Sequence, residues 1–120
     1  MKEKLIKYDT ARLIKELGFN EETIALYDSK GIVIRNPGYT KNEELIRNYA
    51  SAPTQSFLQK WLRENHNIHL CVQNKLSPSN TNMFYLYKHA NQKLNWDNYF
   101  ATYEEALEKG LLTALKMIEN

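Results

Sequence analysis

Ser51-Ala-Pro-Thr-Gln-Ser-Phe-Leu-Gln-Lys-Trp-Leu-Arg-Glu-Asn-His-Asn-Ile-His-Leu-Cys-Val72 is the stretch in which the spacing of apolar residues changes. Phe57, Leu58, Trp61 and Leu62 recur at helical spacing, whereas Ile68-His-Leu-Cys-Val72 alternates with period two. A helix that opens within Ser51–Gln55 therefore runs almost directly into a strand. Ser51 or Thr54 can cap it, and Pro53 takes an early position that has no donor to lose. Beyond the polar, turn-forming Ser77-Pro78-Ser79-Asn80, the run Met83–Lys88 supplies an antiparallel partner for that strand. Thr102-Tyr-Glu-Glu105 then reads as a capping box. Behind it Tyr103, Ala106, Leu107, Gly110, Leu111, Ala114, Leu115 and Ile118 share one helical face, with Glu104 and Glu105 placed where the helix dipole favours acids.

Working back towards the amino terminus, Asp9–Phe19 has a capping residue at Asp9 or Thr10, apolar positions at Ala11, Leu13, Ile14 and Leu17, and a stop at Gly18. It predicts a short helix. Glu22–Tyr27 and Gly31–Arg35 are β-prone runs joined by Asp28-Ser29-Lys30-Gly31, which predicts a β-hairpin. Residues 36–53 begin with Asn36-Pro37-Gly38, and within them residues 42–50 fit either helix or strand. The order helix, hairpin, helix, hairpin, helix points to an α+β domain, residues 1–120, with an antiparallel sheet of about four strands and helices packed on it.

The chain has 120 residues, of which 42% are hydrophobic and 25% charged, with a formal net charge of +2. That is material for one globular core and excludes a disordered chain. No apolar run approaches the roughly 18 residues of a membrane span, and MKEKLIKYDT lacks the apolar stretch of a signal peptide. With Cys71 as the lone cysteine, no internal disulfide forms, and a cytoplasmic location is expected.

Three blocks of the sequence resemble a family of small uncharacterised proteins from gut bacteria of the Bacteroides type and their bacteriophages. They are Ser51–His69, Tyr8–Phe19 and Ala101–Leu111, together somewhat under half of the chain. The resemblance implies a phage or mobile-element gene, a context in which small accessory and host-interaction proteins are common. It carries no activity, cofactor or catalytic residue to transfer.

Read for chemistry, the residues offer few constellations. His69 and Cys71 project from the same face of a strand, with His66 and His89 as further histidines, but no zinc-ligand spacing accompanies them. No flanking feature marks Cys71 as a nucleophile, the acidic pairs Glu21-Glu22 and Glu43-Glu44 have no organising motif, and no glycine-rich phosphate loop is present. The expectation is a protein without catalytic residues, metal or cofactor. From Leu45 to Trp96 six basic residues, Arg47, Lys60, Arg63, Lys75, Lys88 and Lys93, face the single acid Glu64, among Trp61, Tyr85, Tyr87 and Trp96. Basic groups interleaved with rings suit base stacking and phosphate contact. Ala106, Gly110 and Ala114 form a ridge of small residues, which fits close approach either to the chain's own sheet or to the same helix in a homodimer; an exposed Leu112 would favour the dimer.

The leading functional expectation is thus a non-catalytic accessory protein that binds a protein partner, with Gln59, Lys60, Arg63 and Lys88 as candidate contact residues. The alternative is nucleic-acid binding through the basic, aromatic segment 45–96.

Overall fold

The computed structural model describes residues 4–75, 81–88, 93–95 and 100–118, and within these the side chains of all but residues 36, 37, 75, 87, 88 and 93–95. The fold is α+β, with three helices and two antiparallel three-stranded sheets. It divides into two units, Met1–Thr54 and Gln55–Asn120.

In the first unit, helix α1 (Tyr8–Glu16) has its cap position at Lys7, two residues before Asp9 and three before Thr10, the caps that the sequence predicts. Lys7 holds the extended cap position and provides no side-chain cap. The reason lies just upstream. Leu5 bridges Thr54, the Ile6 amide donates to the Pro53 carbonyl at 3.0 Å, and Ile6 is fully buried, so the entry of the chain is fixed before residue 8. The stop is as expected. Gly18 has φ of +91°, its amide donates to the Lys15 carbonyl, and Phe19 N–H reaches back to the Ile14 carbonyl. These two bonds make a Schellman motif.

Strands β1 (Thr23–Tyr27), β2 (Val33–Thr40) and β3 (Ala50–Ser51) follow in the spatial order β2-β1-β3. The hairpin turn is built by Asp28, whose Oδ1 accepts from the amides of Lys30 and Ile32, and by Gly31 with φ of +81°. A Cβ on Gly31 would also sit 3.0 Å from the Tyr8 ring. Strand β2 is longer than the sequence suggests. Ala25 pairs with Arg35 but Thr23 pairs with Thr40, so Asn36-Pro37-Gly38 is taken up in an irregularity rather than ending the strand. Residues 42–50 are neither helix nor strand over most of their length. A 3-10 turn at Asn42–Glu44 precedes β3, which takes up Ser51 and removes it as a cap for the next helix. Asn42, buried, holds this segment: its Nδ2 donates to the Phe19 carbonyl at 2.7 Å and its Oδ1 accepts from Ser51 N–H at 2.8 Å.

The second unit contains α2 (Gln55–His66), β4 (Ile68–Lys75), β5 (Thr81–Lys88), β6 (Lys93–Asn95) and α3 (Tyr103–Ile118), with the sheet in the order β4-β5-β6. Asn67, at φ of 54°, turns the chain from helix to strand within one residue. Strand β6 and the division into two sheets were not legible in the sequence, because three residues are too few to display a period. On α2, Leu58, Trp61 and Leu62 are buried as expected, while Phe57 is exposed. On α3 the Thr102 hydroxyl accepts from Glu105 N–H, and the face from Ala106 to Leu115 is buried; Tyr103, at its start, is exposed. Glu108 is buried on that helix too, where Gln55 Nε2 donates to its Oε1 at 2.9 Å and to the Glu104 carbonyl.

Gly110 accounts for the ridge of small residues. A Cβ there would lie 2.6 Å from Leu70 Cδ1 and 3.1 Å from Phe84 Cγ, so the helix backbone packs directly on β4 and β5 of its own unit. Ala106 and Ala114 are fully buried, and Leu112 is half-buried. No helix among the described residues is long and apolar enough to cross a membrane.

Two stability predictions follow from these contacts. Gly110→Ala gains about 1 kcal/mol of helix propensity, but Leu70 and Phe84 are too buried to move aside, so the net effect in urea unfolding is a loss of about 1–3 kcal/mol. Asn42→Ala removes the hydrogen bonds from Asn42 to the Phe19 carbonyl and from the Ser51 amide to Asn42, and loses about 1–3 kcal/mol in the same measurement.

Candidate functional site

On the first unit, one side of α1 forms the floor of a cleft of about 390 Å³. Tyr8, Arg12, Lys15 and Glu16 are spaced as successive turns of a helix, so a single face of α1 presents all four. Arg47, Asn48, Tyr49 and Ala50 make the facing wall, and Ser29 of the hairpin turn closes one end. The wall has no regular secondary structure before Ala50, so its position depends on side chains. Lys15 supplies the main tie, since its Nζ donates to the Arg47 carbonyl at 3.2 Å and also to the Tyr49 carbonyl.

Tyr8 is fixed from several sides. Its ring meets that of Tyr27 edge-on at 5.5 Å, the Gly31 backbone lies against it, its hydroxyl donates to the Ser29 carbonyl at 3.2 Å, and the Arg12 guanidinium stands 5.7 Å from its centroid. The last contact is of cation–π type. Tyr27 donates to the Ile6 carbonyl, which ties the same cluster to the entry of α1. The lining is polar and mostly cationic: Arg12, Lys15 and Arg47 against Glu16 alone.

A second feature of this unit is apolar. Strand β2 is an edge strand, and Val33 (41% exposed) and Tyr39 (70%) stand in solvent along it, with Ile32 (59%) just before its first residue. Ile24 on β1 and Ile46 are also exposed. From Ser29 to Asn42 the chain carries Lys30, Arg35 and Lys41 and no acid.

On the second unit, the residues singled out in the sequence separate. Lys60 and Arg63 are exposed on α2, whose buried positions Leu58 and Leu62 pack towards β4. Gln59 is turned inward, its Nε2 donating to the Leu70 carbonyl at 2.6 Å, so it covers part of the outer edge of β4. Lys88 ends β5 opposite Ile68, and its side chain lies outside the described residues, as do those of Lys75, Tyr87 and Lys93. His89 and Trp96 lie outside them altogether.

The sheet face away from the helices carries His69, Cys71 and Gln73, all exposed, with Tyr85 directly opposite Cys71 and half-buried. His69 and Cys71 thus share a face as the strand period predicts. Among the described residues no three His, Cys, Asp or Glu side chains gather as metal ligands. Lys60 and Arg63 lie with the helix layer while Tyr85 lies on the open sheet face, so these three groups of the second unit do not share one surface.

Compared with known proteins, the chain matches no protein-family model, no curated protein and no solved structure.

The cleft was not among the sequence-derived sites. Its one available signal was the spacing of Tyr8, Arg12, Lys15 and Glu16 on the polar side of a helix, and this is the pattern of any solvated helix face. Lys15→Met removes the tie between α1 and residues 47–49. The expected outcome is a stability loss of about 1–3 kcal/mol, with faster amide hydrogen exchange at Arg47–Ala50 than in the wild-type chain.

Proposed function

We propose that this chain is a non-catalytic accessory protein, of phage or mobile-element type, that acts by binding another protein along the outer edge of β2. The observation that carries this reading is the set of exposed apolar side chains Val33 and Tyr39, on a strand whose outer edge has no neighbour among the described residues, and Ile32 just before it. An unpaired edge offers backbone donors and acceptors to an added strand, and side chains beside it supply selectivity. The Ile32 amide and carbonyl are both used in the turn with Asp28 and Pro37 has no amide hydrogen, so strand addition runs along Val33–Arg35, and Ile32 and Tyr39 contribute side-chain contacts only. With Lys30, Arg35 and Lys41 nearby and no acid among them, the fitting partner is an extended segment that is apolar and acidic.

The separation of Lys60 and Arg63 from Tyr85 gives less support to nucleic-acid binding through segment 45–96. Packing of Gly110 against Leu70 and Phe84 likewise gives the small-residue ridge a use inside the unit, without a homodimer.

The test is affinity capture from nuclease-treated host lysate with the full chain as bait. A discrete protein partner should be recovered and should fall at least tenfold with Ile32→Ser and Tyr39→Ser combined, while Lys60→Ala with Arg63→Ala leaves it unchanged. Recovery of nucleic acid, of no partner, or of a partner indifferent to the β2 substitutions would overturn the reading.

A further inference from the structure

The cleft on α1 lies apart from the β2 residues in its chemistry, and its lining describes a different kind of ligand. Three cationic side chains and one carboxylate leave a formal excess of two positive charges around one cavity. Among the described residues neither Arg12 nor Arg47 is paired with a carboxylate. A cation–π contact uses the charge of the guanidinium and none of its N–H donors, so the Tyr8 ring 5.7 Å away leaves the hydrogen-bonding capacity of Arg12 intact. Lys15 spends two of its three N–H donors on the carbonyls of Arg47 and Tyr49 and retains one. Asn48 and Tyr49 add neutral polar residues on the wall.

From this arrangement we infer that the cleft binds a small organic phosphate through Arg12, Lys15 and Arg47. A phosphomonoester carries roughly −1.5 to −2 charges near neutral pH, which matches the excess of the lining; a single carboxylate would neutralise half of it. Guanidinium forks fit two phosphate oxygens at once, which favours phosphate on geometric grounds as well. The volume of about 390 Å³ is larger than a bare anion needs and is of the size of small-molecule sites. The remaining space, bounded by Ser29, Asn48 and Tyr49, is polar and suits a hydroxylated body such as a sugar. Glu16, in the same lining, can accept hydrogen bonds from hydroxyl groups and repels the phosphate by its charge.

The test is a titration of the full chain, followed by amide chemical shifts at low ionic strength, with ribose 5-phosphate, inorganic phosphate and ribose as separate probes. Ribose 5-phosphate should give saturable shifts confined to Arg12–Glu16 and Arg47–Ala50. Arg12→Gln combined with Arg47→Gln should weaken binding at least tenfold with the thermal midpoint unchanged, since both side chains are exposed. Glu16→Gln should tighten binding several-fold, a gain that a merely structural role would not produce. Lys60→Gln with Arg63→Gln, on the other unit, should have no effect. The inference is overturned if no probe saturates, if the two arginine substitutions leave affinity intact, if ribose binds as well as its phosphate, or if inorganic phosphate binds as tightly as the ester.

Discussion

Residues 42–51 have little regular structure, yet they form one wall of the cleft, and two side chains hold them there. The buried amide of Asn42 donates to the loop after α1 and accepts from the amide of Ser51, while the ammonium of Lys15 gathers the carbonyls of Arg47 and Tyr49. Between them they satisfy backbone groups that a helix or sheet would otherwise pair. The cleft exists because these polar contacts replace secondary structure. Its cations are carried on a rigid helix on one side and a tethered segment on the other.

In the second unit the governing contact is steric. Gly110 lets α3 approach β4 and β5 until there is no room for a methyl group, and Leu70 and Phe84 fill the space. Around that contact β4 alternates, whereas on β5 Asn82 and Met83 are buried beside Phe84. Ile68, Leu70, Phe84 and Leu86 are buried, and His69, Cys71 and Gln73 are exposed. The two units therefore differ in kind: one is held largely by apolar packing of helices on a sheet, the other presents polar side chains as ties.

How much of this was legible follows from the range of each interaction. The Gly18 stop, the Asp28–Gly31 turn, the Thr102 cap and, apart from the exposed Phe57 and Tyr103, the apolar stripes of α2 and α3 are local, encoded within a turn or two of chain, and are found. The start of α1 is not local, because the bridge between Leu5 and Thr54 sets it across the length of the unit. The path of β2 past Pro37-Gly38 is also decided by its partner, since Thr23 and Ala25 in β1 fix where pairing resumes. Glu108, charged and in a helix, reads as a solvent residue until Gln55 is placed beside it. Gln59 reads as a free surface amide until the Leu70 carbonyl is placed within its reach.

The same division separates the sites. From the sequence alone come the α+β class, the antiparallel pairing, the same-face placement of His69 and Cys71, and the close packing that Ala106, Gly110 and Ala114 demand, because periodicity, caps and residue size act over a few positions. Only the tertiary structure decided that Tyr8, Arg12 and Lys15 line one cleft with Arg47 and Tyr49, that Lys60 and Arg63 stand apart from Tyr85, and that β2 lies at the edge of its sheet. Each of these depends on which segments lie side by side after folding, and residues more than 30 positions apart, such as Lys15 and Tyr49, carry no mark in the chain of the contact they will make.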